Sequence, residues 1–274
     1  MRIFFLNPST DLKKGLGYLY FFNSSLPPLW AGYLSSIASK FTDDIFVFDN
    51  TVENLGERKV VERIAEFNPD ILCISVLTQT AFFSYNVARG VRESLKKTRI
   101  IMGHTHADFF SEEILKRGLA DIVVSGEGER TFEEILSVLS KGLFEFDKLS
   151  DVKGITFRVD GKIYKNEKRE RIIDIDKIPF PAWNFFERYF NHYKPLPPNR
   201  ITKPTFTFLA SRGCPYKCNF CTVQMGNRYT KRSPENICDE IEYFHERYGV
   251  RHFVFVDPIF PFSQSMDVLS YMSK

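Results

Sequence analysis

Three cysteines lie close together in the segment Arg212-Gly-Cys-Pro-Tyr-Lys-Cys-Asn-Phe-Cys221. Cys214, Cys218 and Cys221 have the spacing C-x3-C-x2-C, and thiolates at this spacing repel one another unless a metal centre binds them. When three thiolates hold a four-iron cluster, one iron keeps an open coordination position. Such an iron binds and reduces a substrate or co-substrate, so the motif predicts a redox-active 4Fe–4S centre.

A structural zinc site is one alternative, because Cys238 or His245 can supply the fourth ligand that zinc needs. Cys238, however, falls in a predicted helix over 233–248, in step with Ile241, which favours a core position. Clustering of cysteines by chance, without a metal, is a second alternative. Cys73 lies in an apolar predicted strand, which is typical of an inert buried thiol.

The first 140 residues alternate short apolar runs with helical patterns. Runs of this kind are typical of strands buried on both faces, and helices of this length give right-handed crossovers between parallel strands. We therefore predict a doubly wound, Rossmann-type α/β domain over 1–145, with a five-stranded flavodoxin-like sheet. The predicted strands are 2–6, 44–48, 71–75, 99–102 and 121–125, and the predicted helices are 29–39, 58–67, 85–96, 112–116 and 130–139.

Polar and glycine residues follow four of these strands. Sheets of this kind bind ligands outside the carboxyl ends of their strands, where glycine lets the backbone approach a bulky ligand and helix-opening amides receive its polar groups. Ordinary turn chemistry is the alternative for any one of these turns. The candidate ligand-binding residues are Ser9, Thr10, Ser75, Thr78, Gly103, His104, His106, Gly126, Glu127 and Gly128.

Residues 146–204 read as a connection between two units. Asp160-Gly161 lies between two β-rich runs and predicts a hairpin, and the segment 178–198 is rich in proline and aromatic residues. Proline favours an extended linker, and the aromatic side chains indicate that it packs against the protein. Residues 205–274 then begin a second α/β unit, with strands predicted over 206–211 and 253–256.

The composition excludes several classes of protein. The 274 residues include 37 Lys and Arg against 34 Asp and Glu, and a net charge of +3 is too small to indicate nucleic-acid binding. No window has the roughly 18 apolar residues of a transmembrane helix, and the first residues lack a signal-peptide pattern. Five cysteines, three of them in one motif, do not indicate a disulfide framework. We expect a cytoplasmic protein without a membrane span.

Segments along most of the chain match one known family. The most specific is the cysteine motif with Phe220 before its last cysteine, and the match continues to residue 260. Upstream segments that follow the family's order are 69–75, 103–106, 120–129, 154–155 and 178–183. On these residues the chain resembles the cobalamin-dependent branch of the radical S-adenosylmethionine superfamily.

The resemblance implies a cobalamin-binding domain followed by the first part of a TIM-type radical barrel. In that family a 4Fe–4S cluster reductively cleaves S-adenosylmethionine to a 5′-deoxyadenosyl radical, and methylcobalamin often supplies a methyl group. By resemblance, Cys214, Cys218 and Cys221 hold the cluster, Phe220 lies near the adenine and Asp257 contacts the methionine amino group. The resemblance also implies methyl transfer, cyclisation or rearrangement of a small, natural-product-like substrate, and an electron donor such as flavodoxin or ferredoxin.

The sequence departs from the family in four respects. The Asp-x-His-x-x-Gly loop is absent after the first strand, His104 stands where a second glycine is usual, and Pro258 follows Asp257. Only 60 residues follow Cys214, whereas a barrel of six units needs roughly 120 more. We therefore expect an N-terminal fragment that cleaves little or no S-adenosylmethionine on its own.

Two other functions fit parts of the pattern. A cobalamin carrier with a vestigial radical domain would bind cobalamin without a functional cluster. A radical enzyme that inserts sulfur into RNA would carry a further N-terminal cysteine trio, but Cys73 is the only cysteine before Cys214.

Overall fold

The structure is a computed structural model that describes residues 1–9, 25–142, 146–195, 204–221, 229–259 and 262–272. Seven strands, numbered β1 to β7 along the chain, form one sheet with the spatial order β2-β1-β3-β4-β5-β6-β7. They are Ile3–Asn7, Ile45–Asp49, Ile71–Ser75, Arg99–Gly103, Ile122–Val124, Ile155–Val159 and Lys162–Lys165. The first five pair in parallel and have the predicted flavodoxin-like order, which confirms the fold class.

The hairpin of β6 and β7 corrects our expectation of a five-stranded sheet. We assigned this hairpin to the connecting stretch, but β6 pairs antiparallel with the edge strand β5 and β7 pairs antiparallel with β6. Ser125 N donates to Gly154 O at 2.9 Å just before this pairing begins. The β5 edge would otherwise leave its backbone groups unpaired, and the hairpin satisfies them.

The α-helices of the described residues are numbered α1 to α10 along the chain, and those of the first unit cover both faces of the sheet. They are Leu29–Ala38, Asn50–Glu53, Glu57–Phe67, Ala81–Ser94, Thr105–Phe109, Ser111–Lys116, Gly128–Leu139, Phe146–Leu149, Pro234–Tyr248 and Phe262–Met272. Alternate residues of a strand face opposite sides, so Phe5 packs into one core with α1 and α7, while Phe4 packs into the other with α3 and α4. No helix of the described ranges is both long and apolar enough to cross a membrane.

The aromatic linker packs against the first helix and the second unit, as its composition predicts. Trp183 is 1% exposed, and its ring lies 5.2 Å from that of Phe206. Ala182 N donates to Gly32 O at 2.9 Å, which fixes the linker backbone on α1. The linker therefore joins the sheet unit to the strand that precedes the cysteine loop.

Four short strands belong to the second unit. The strands β8 and β11 are Thr205–Phe208 and His252–Phe255, and they pair in parallel. The strands β9 and β10, Ser211–Arg212 and Thr230–Lys231, pair antiparallel on either side of the cysteine loop.

Candidate functional site

A cavity of about 290 Å³ lies at the carboxyl ends of β3, β4 and β5. Six of the ten predicted ligand-binding residues line it, namely Ser75, Gly103, His104, Gly126, Glu127 and Gly128. These residues come from three separate strand ends, which the parallel arrangement brings to one edge. Leu209 and Arg212 also line the cavity, so it extends to the segment that leads into the cysteine motif.

Three other predicted residues do not line this cavity, because their polar atoms face other partners. Ser9 Oγ accepts a hydrogen bond from Asn50 Nδ2 at 2.9 Å. His106 Nε2 lies 2.9 Å from Tyr85 Oη, and His106 Nδ1 lies 3.2 Å from Thr78 Oγ1. The structure therefore does not bring Ser9, Thr78 and His106 together with the other six. Thr10 is outside the described residues.

Glycines give the cavity its open rim. Gly126 has φ +77, a conformation that side chains rarely adopt, and a Cβ built there meets nothing within 4 Å. A Cβ on Gly103 would meet only Val124, at 3.8 Å. The next residue after Gly126 is fixed, since Glu127 Oε2 accepts from Ile172 N of the linker at 2.5 Å. The rim therefore has space for a ligand at its glycines, and a hydrogen bond to the linker holds the residue beside them.

His104 has an unusual backbone conformation at this rim. Its φ of 80 and ψ of 176 fall in a region that is essentially restricted to glycine. Its Nδ1 accepts from Thr105 N at 2.8 Å, and burial lowers the pKa of the imidazole from its ordinary value of 6.5. A neutral ring whose Nδ1 is an acceptor carries its proton on Nε2. His104 therefore offers a hydrogen-bond donor at the cavity.

An aromatic wall lies opposite the strand ends, and it was not predicted from the sequence. Trp30 and Tyr33 of α1 and Phe132 of α7 line the cavity. Trp30 Nε1 donates to Asn7 Oδ1 at 3.2 Å, which fixes the indole ring. The spacing of Trp30 and Tyr33 places both on one helix face, and this was the available signal. Helical periodicity marks a buried face, but it does not distinguish core from cavity.

A buried ion-pair cluster joins the cavity to the cysteine motif. Arg212 Nη2 lies 2.5 Å from Glu129 Oε1, and Arg212 Nη1 lies 3.4 Å from Glu127 Oε1. The side chain of Arg212 is only 4% exposed, and its guanidinium carbon lies 5.6 Å from the ring centre of Tyr33. We call Arg212, Glu127 and Glu129 the Arg212 triad. Neither Arg212 nor Glu129 was among our predicted site residues.

The cysteine loop begins directly after this triad. Cys214 is half-buried, whereas Cys218 and Cys221 are exposed. Cys221 N donates to Cys218 O at 3.0 Å, which forms a turn between them. Phe220, which the resemblance places near the adenine, is 91% exposed. No three His, Cys, Asp or Glu side chains within the described ranges are grouped as metal ligands.

Asp257 connects the ends of the two strands of the second unit. Its Oδ1 accepts from Ser211 Oγ at 2.5 Å and its Oδ2 accepts from Ala210 N at 3.1 Å. Burial raises the pKa of this carboxyl group. Asp257 is thus held beside Ala210 and Ser211, the two residues that precede Arg212.

The two remaining cysteines lie in packed surroundings. Cys73 is 3% exposed and burial raises the pKa of its thiol, in line with an inert buried residue. Cys238 is half-buried and packs against a small core that includes Ile237 and Phe208. His245 Nδ1 lies 2.9 Å from Val250 O and donates to it.

The fold and the site define a doubly wound cofactor-binding domain followed by a cysteine-loop unit. The B12 binding domain family matches residues 21–136. The chain is 29% identical to an uncharacterized methyltransferase of Pyrococcus horikoshii, over 95% of this chain and 54% of that protein. It is 30% identical to the anaerobic magnesium-protoporphyrin IX monomethyl ester cyclase of Rubrivivax gelatinosus, over 94% of this chain and 45% of that protein.

Two solved structures have a fold similar to that of this chain. The cobalamin-dependent S-adenosylmethionine radical enzyme OxsB, with aqua-cobalamin and S-adenosylmethionine bound, superposes with a TM-score of 0.77 at 18% identity, over 100% of this chain and 37% of OxsB. The radical S-adenosylmethionine methyltransferase TsrM of Kitasatospora setae, with cobalamin and a 4Fe–4S cluster bound, gives a TM-score of 0.68 at 14% identity, over 99% of this chain and 51% of TsrM.

Over most of its length the chain resembles cobalamin-dependent radical S-adenosylmethionine proteins in sequence and in fold. It spans about half the length of the curated relatives that it matches.

Proposed function

We propose that this chain provides the cobalamin cavity and the cluster-binding loop of an enzyme that modifies an unreactive carbon of a small molecule. The observation that carries the proposal is that Arg212 lines the cavity and lies two residues before Cys214. Methyl transfer and cyclisation are the two reaction classes that the names of the relatives support. When bound, cobalamin, the cluster and S-adenosylmethionine would supply methyl-transfer and radical chemistry.

Three features of the cavity support cobalamin as its ligand. A large, rigid cofactor needs a rim without side chains, which Gly103 and Gly126 provide. Its amide groups need hydrogen-bond donors, and His104 Nε2 and the backbone amides that open α7 at Gly128 provide these. The wall of Trp30 and Phe132 accepts an apolar aromatic part. These residues would bind and orient the cofactor and exclude water from one side.

The donor set of the cysteine loop fits an iron–sulfur cluster. Cys214, Cys218 and Cys221 offer three thiols on one loop, and the exposure of two of them leaves room for a cluster. We propose that Asp257 positions the start of this loop through Ser211 and Ala210, and that it contacts bound S-adenosylmethionine. Phe220 remains a predicted neighbour of that ligand.

Anaerobic reconstitution with iron and sulfide tests the cluster. We expect a 4Fe–4S absorbance and electron paramagnetic resonance spectrum that is lost when Cys214, Cys218 or Cys221 is replaced by alanine. Cys238→Ala is the matched control, because this cysteine is half-buried and outside the motif. A colourless protein that binds one zinc ion, or equal loss of the spectrum in Cys238→Ala, would overturn the cluster assignment.

A cobalamin carrier is the second candidate, and one observation favours it. All but two of the residues that line the cavity belong to the sheet unit; the exceptions are Leu209 and Arg212. Titration with cobalamin, combined with the reconstitution above, separates the two proposals. Tight cobalamin binding without a cluster spectrum would support the carrier.

We propose that turnover requires more chain than these 274 residues, together with an electron donor of the flavodoxin or ferredoxin type. The strands β8 and β11 pair with each other in parallel, and Phe255, Val256 and Leu269 are exposed apolar residues of the unit that contains them. We expect little or no 5′-deoxyadenosine from S-adenosylmethionine and a chemical reductant. Robust production by this chain alone would refute that expectation.

A further inference from the structure

The Arg212 triad connects two parts of the molecule that are distant in sequence. Glu127 and Glu129 flank Gly128 at the start of α7, and all three residues line the cavity. Arg212 comes from the opposite side and is the last residue of β9, directly before Gly213 and the cysteine loop. The contacts between them span 85 and 83 positions in the sequence. A displacement of the α7 start therefore reaches the cysteine loop through one side chain.

The residues on both sides of the triad are held by further contacts. Strand β9 pairs with β10 on the far side of the loop, with Arg212 opposite Thr230. Ser211 is tied to Asp257, and Gly213 has φ +79, so the chain turns sharply at the loop entrance. Glu127 is tied to Ile172 of the linker. The ends of the triad are thus anchored, while Gly126 beside it has open space.

Two atoms of the triad are buried without a hydrogen-bond partner. They are Arg212 Nε, a donor, and Glu129 Oε2, an acceptor. An unpaired buried polar atom makes an arrangement less favourable than one in which it is paired. The triad also contains two carboxylates and one guanidinium, so its charges do not cancel. A ligand that shifts the turn at Gly126 and Gly128 changes the geometry in which these groups meet.

We infer that the Arg212 triad couples occupancy of the cavity to the conformation of the cysteine loop, with Arg212 as the positioning residue. The inference rests on the proposed function, because the occupant that it requires is a cobalamin. If a ligand in the cavity fixes the position of Glu127 and Glu129 at the start of α7, it also fixes Arg212, which directly precedes the cysteine loop. By thermodynamic linkage, a loop already fixed by its metal centre favours the cavity conformation that binds the ligand.

Thiol reactivity in the cluster-free protein tests the coupling without any turnover. The probe is cyanocobalamin, with its affinity measured by equilibrium dialysis, and the readout is the rate at which iodoacetamide labels Cys218 and Cys221, followed by mass spectrometry. We expect saturating cyanocobalamin to slow labelling about fivefold in the wild-type protein. Arg212 lines the cavity, so in Arg212→Gln we expect cyanocobalamin to bind more weakly. At a concentration that saturates the variant, we expect the slowing to be lost.

Three variants keep the result interpretable. The double variant Arg212→Gln with Glu129→Gln removes both partners of the shortest contact, so it avoids an unpaired buried carboxylate at Glu129 if the single variant fails to fold. Arg212→Lys keeps the charge and should retain more of the slowing than Arg212→Gln. Arg169→Gln is the matched control, because Arg169 pairs with Glu134 further along the same helix and does not adjoin the cysteine loop. It should keep the full slowing.

The outcomes separate the inference from the proposed function. Failure of the wild-type protein to bind cyanocobalamin would refute the cobalamin proposal and remove the basis of the coupling. Binding without any change in labelling rate would refute the coupling alone. Equal slowing in the wild-type protein and in the double variant would also refute it, since the triad would then not be the connection.

Discussion

Replacing Gly32 by alanine tests how the linker is fixed on the sheet unit. Gly32 lies within α1 and is directly covered by the linker. A Cβ built at this position comes 2.8 Å from Pro181 Cβ and 3.2 Å from Trp183 Cζ3. The first distance is shorter than real Cβ contacts, and the linker backbone is tied to Gly32 O by Ala182 N. The substitution must therefore push the linker away from the helix.

Two effects of opposite sign set the magnitude. Alanine in a helix interior is about 0.5–1 kcal/mol more favourable than glycine. Insertion of a methyl group into a packed contact costs about 1–3 kcal/mol. The contact lies between backbone-anchored groups, so we expect the second effect to exceed the first. The net loss in the free energy of unfolding is then about 1 kcal/mol, which lowers the melting temperature by roughly 2–4 °C.

Thermal unfolding followed by circular dichroism measures this effect, and Gly128→Ala is the matched control. Gly128 begins α7, and its Cβ would meet only Leu34 Cδ2 at 3.7 Å, an ordinary contact. We expect this control to melt at the wild-type temperature or slightly above it. If Gly32→Ala also melts at or above the wild-type temperature, the linker does not pack on α1 as the structure shows.

Three further predictions concern the site. His104→Gly should be about 1 kcal/mol more stable than His104→Ala, because alanine keeps the backbone strain that glycine relieves; the opposite order of melting temperatures would contradict that strain. The pKa of His104 is lower in the folded protein than its ordinary value of 6.5. Protonation therefore favours the unfolded protein, so the stability from this group is present above pH 6.5 and is lost as the pH falls towards the folded pKa. Denaturant midpoints between about pH 7 and 5.5 should therefore fall less in His104→Gly than in the wild-type protein, and an equal fall would exclude this residue as a source. In cluster-free protein, iodoacetamide should label the exposed Cys218 and Cys221 readily and Cys73 only after unfolding, since burial raises the pKa of the Cys73 thiol; native labelling of Cys73 at a similar rate would contradict its burial.

Much of the fold followed from local patterns. The strand Ile71–Ser75 has the predicted bounds, and the other four parallel strands differ by one residue at one or both ends. Apolar runs identify such strands because parallel strands are buried on both faces. The pairing of the hairpin with β5 was missed, because a hairpin pattern specifies its own two strands and not the sheet that they join.

The site was predicted in part, and the misses have a common cause. Ser75, Gly103 and Gly126 were identifiable because each follows a strand whose carboxyl end must lie at the ligand-binding edge. His106 also follows a strand, but it lies on a helical turn that directs it to Tyr85. His104 and His106 are only two positions apart, yet their side chains point in different directions, and composition does not report that direction.

The sequence by itself predicted the family resemblance, the doubly wound order of the parallel strands and the three-cysteine motif, because these depend on residue type and spacing along the chain. Only the tertiary structure showed that Arg212 meets Glu127 and Glu129, and that Trp30 and Phe132 form the cavity wall. These contacts join residues more than 80 positions apart for the triad and about 100 apart for the wall. The packing of the linker and the sheet determines which residues meet in the triad and in the wall, and no local sequence pattern predicts these contacts.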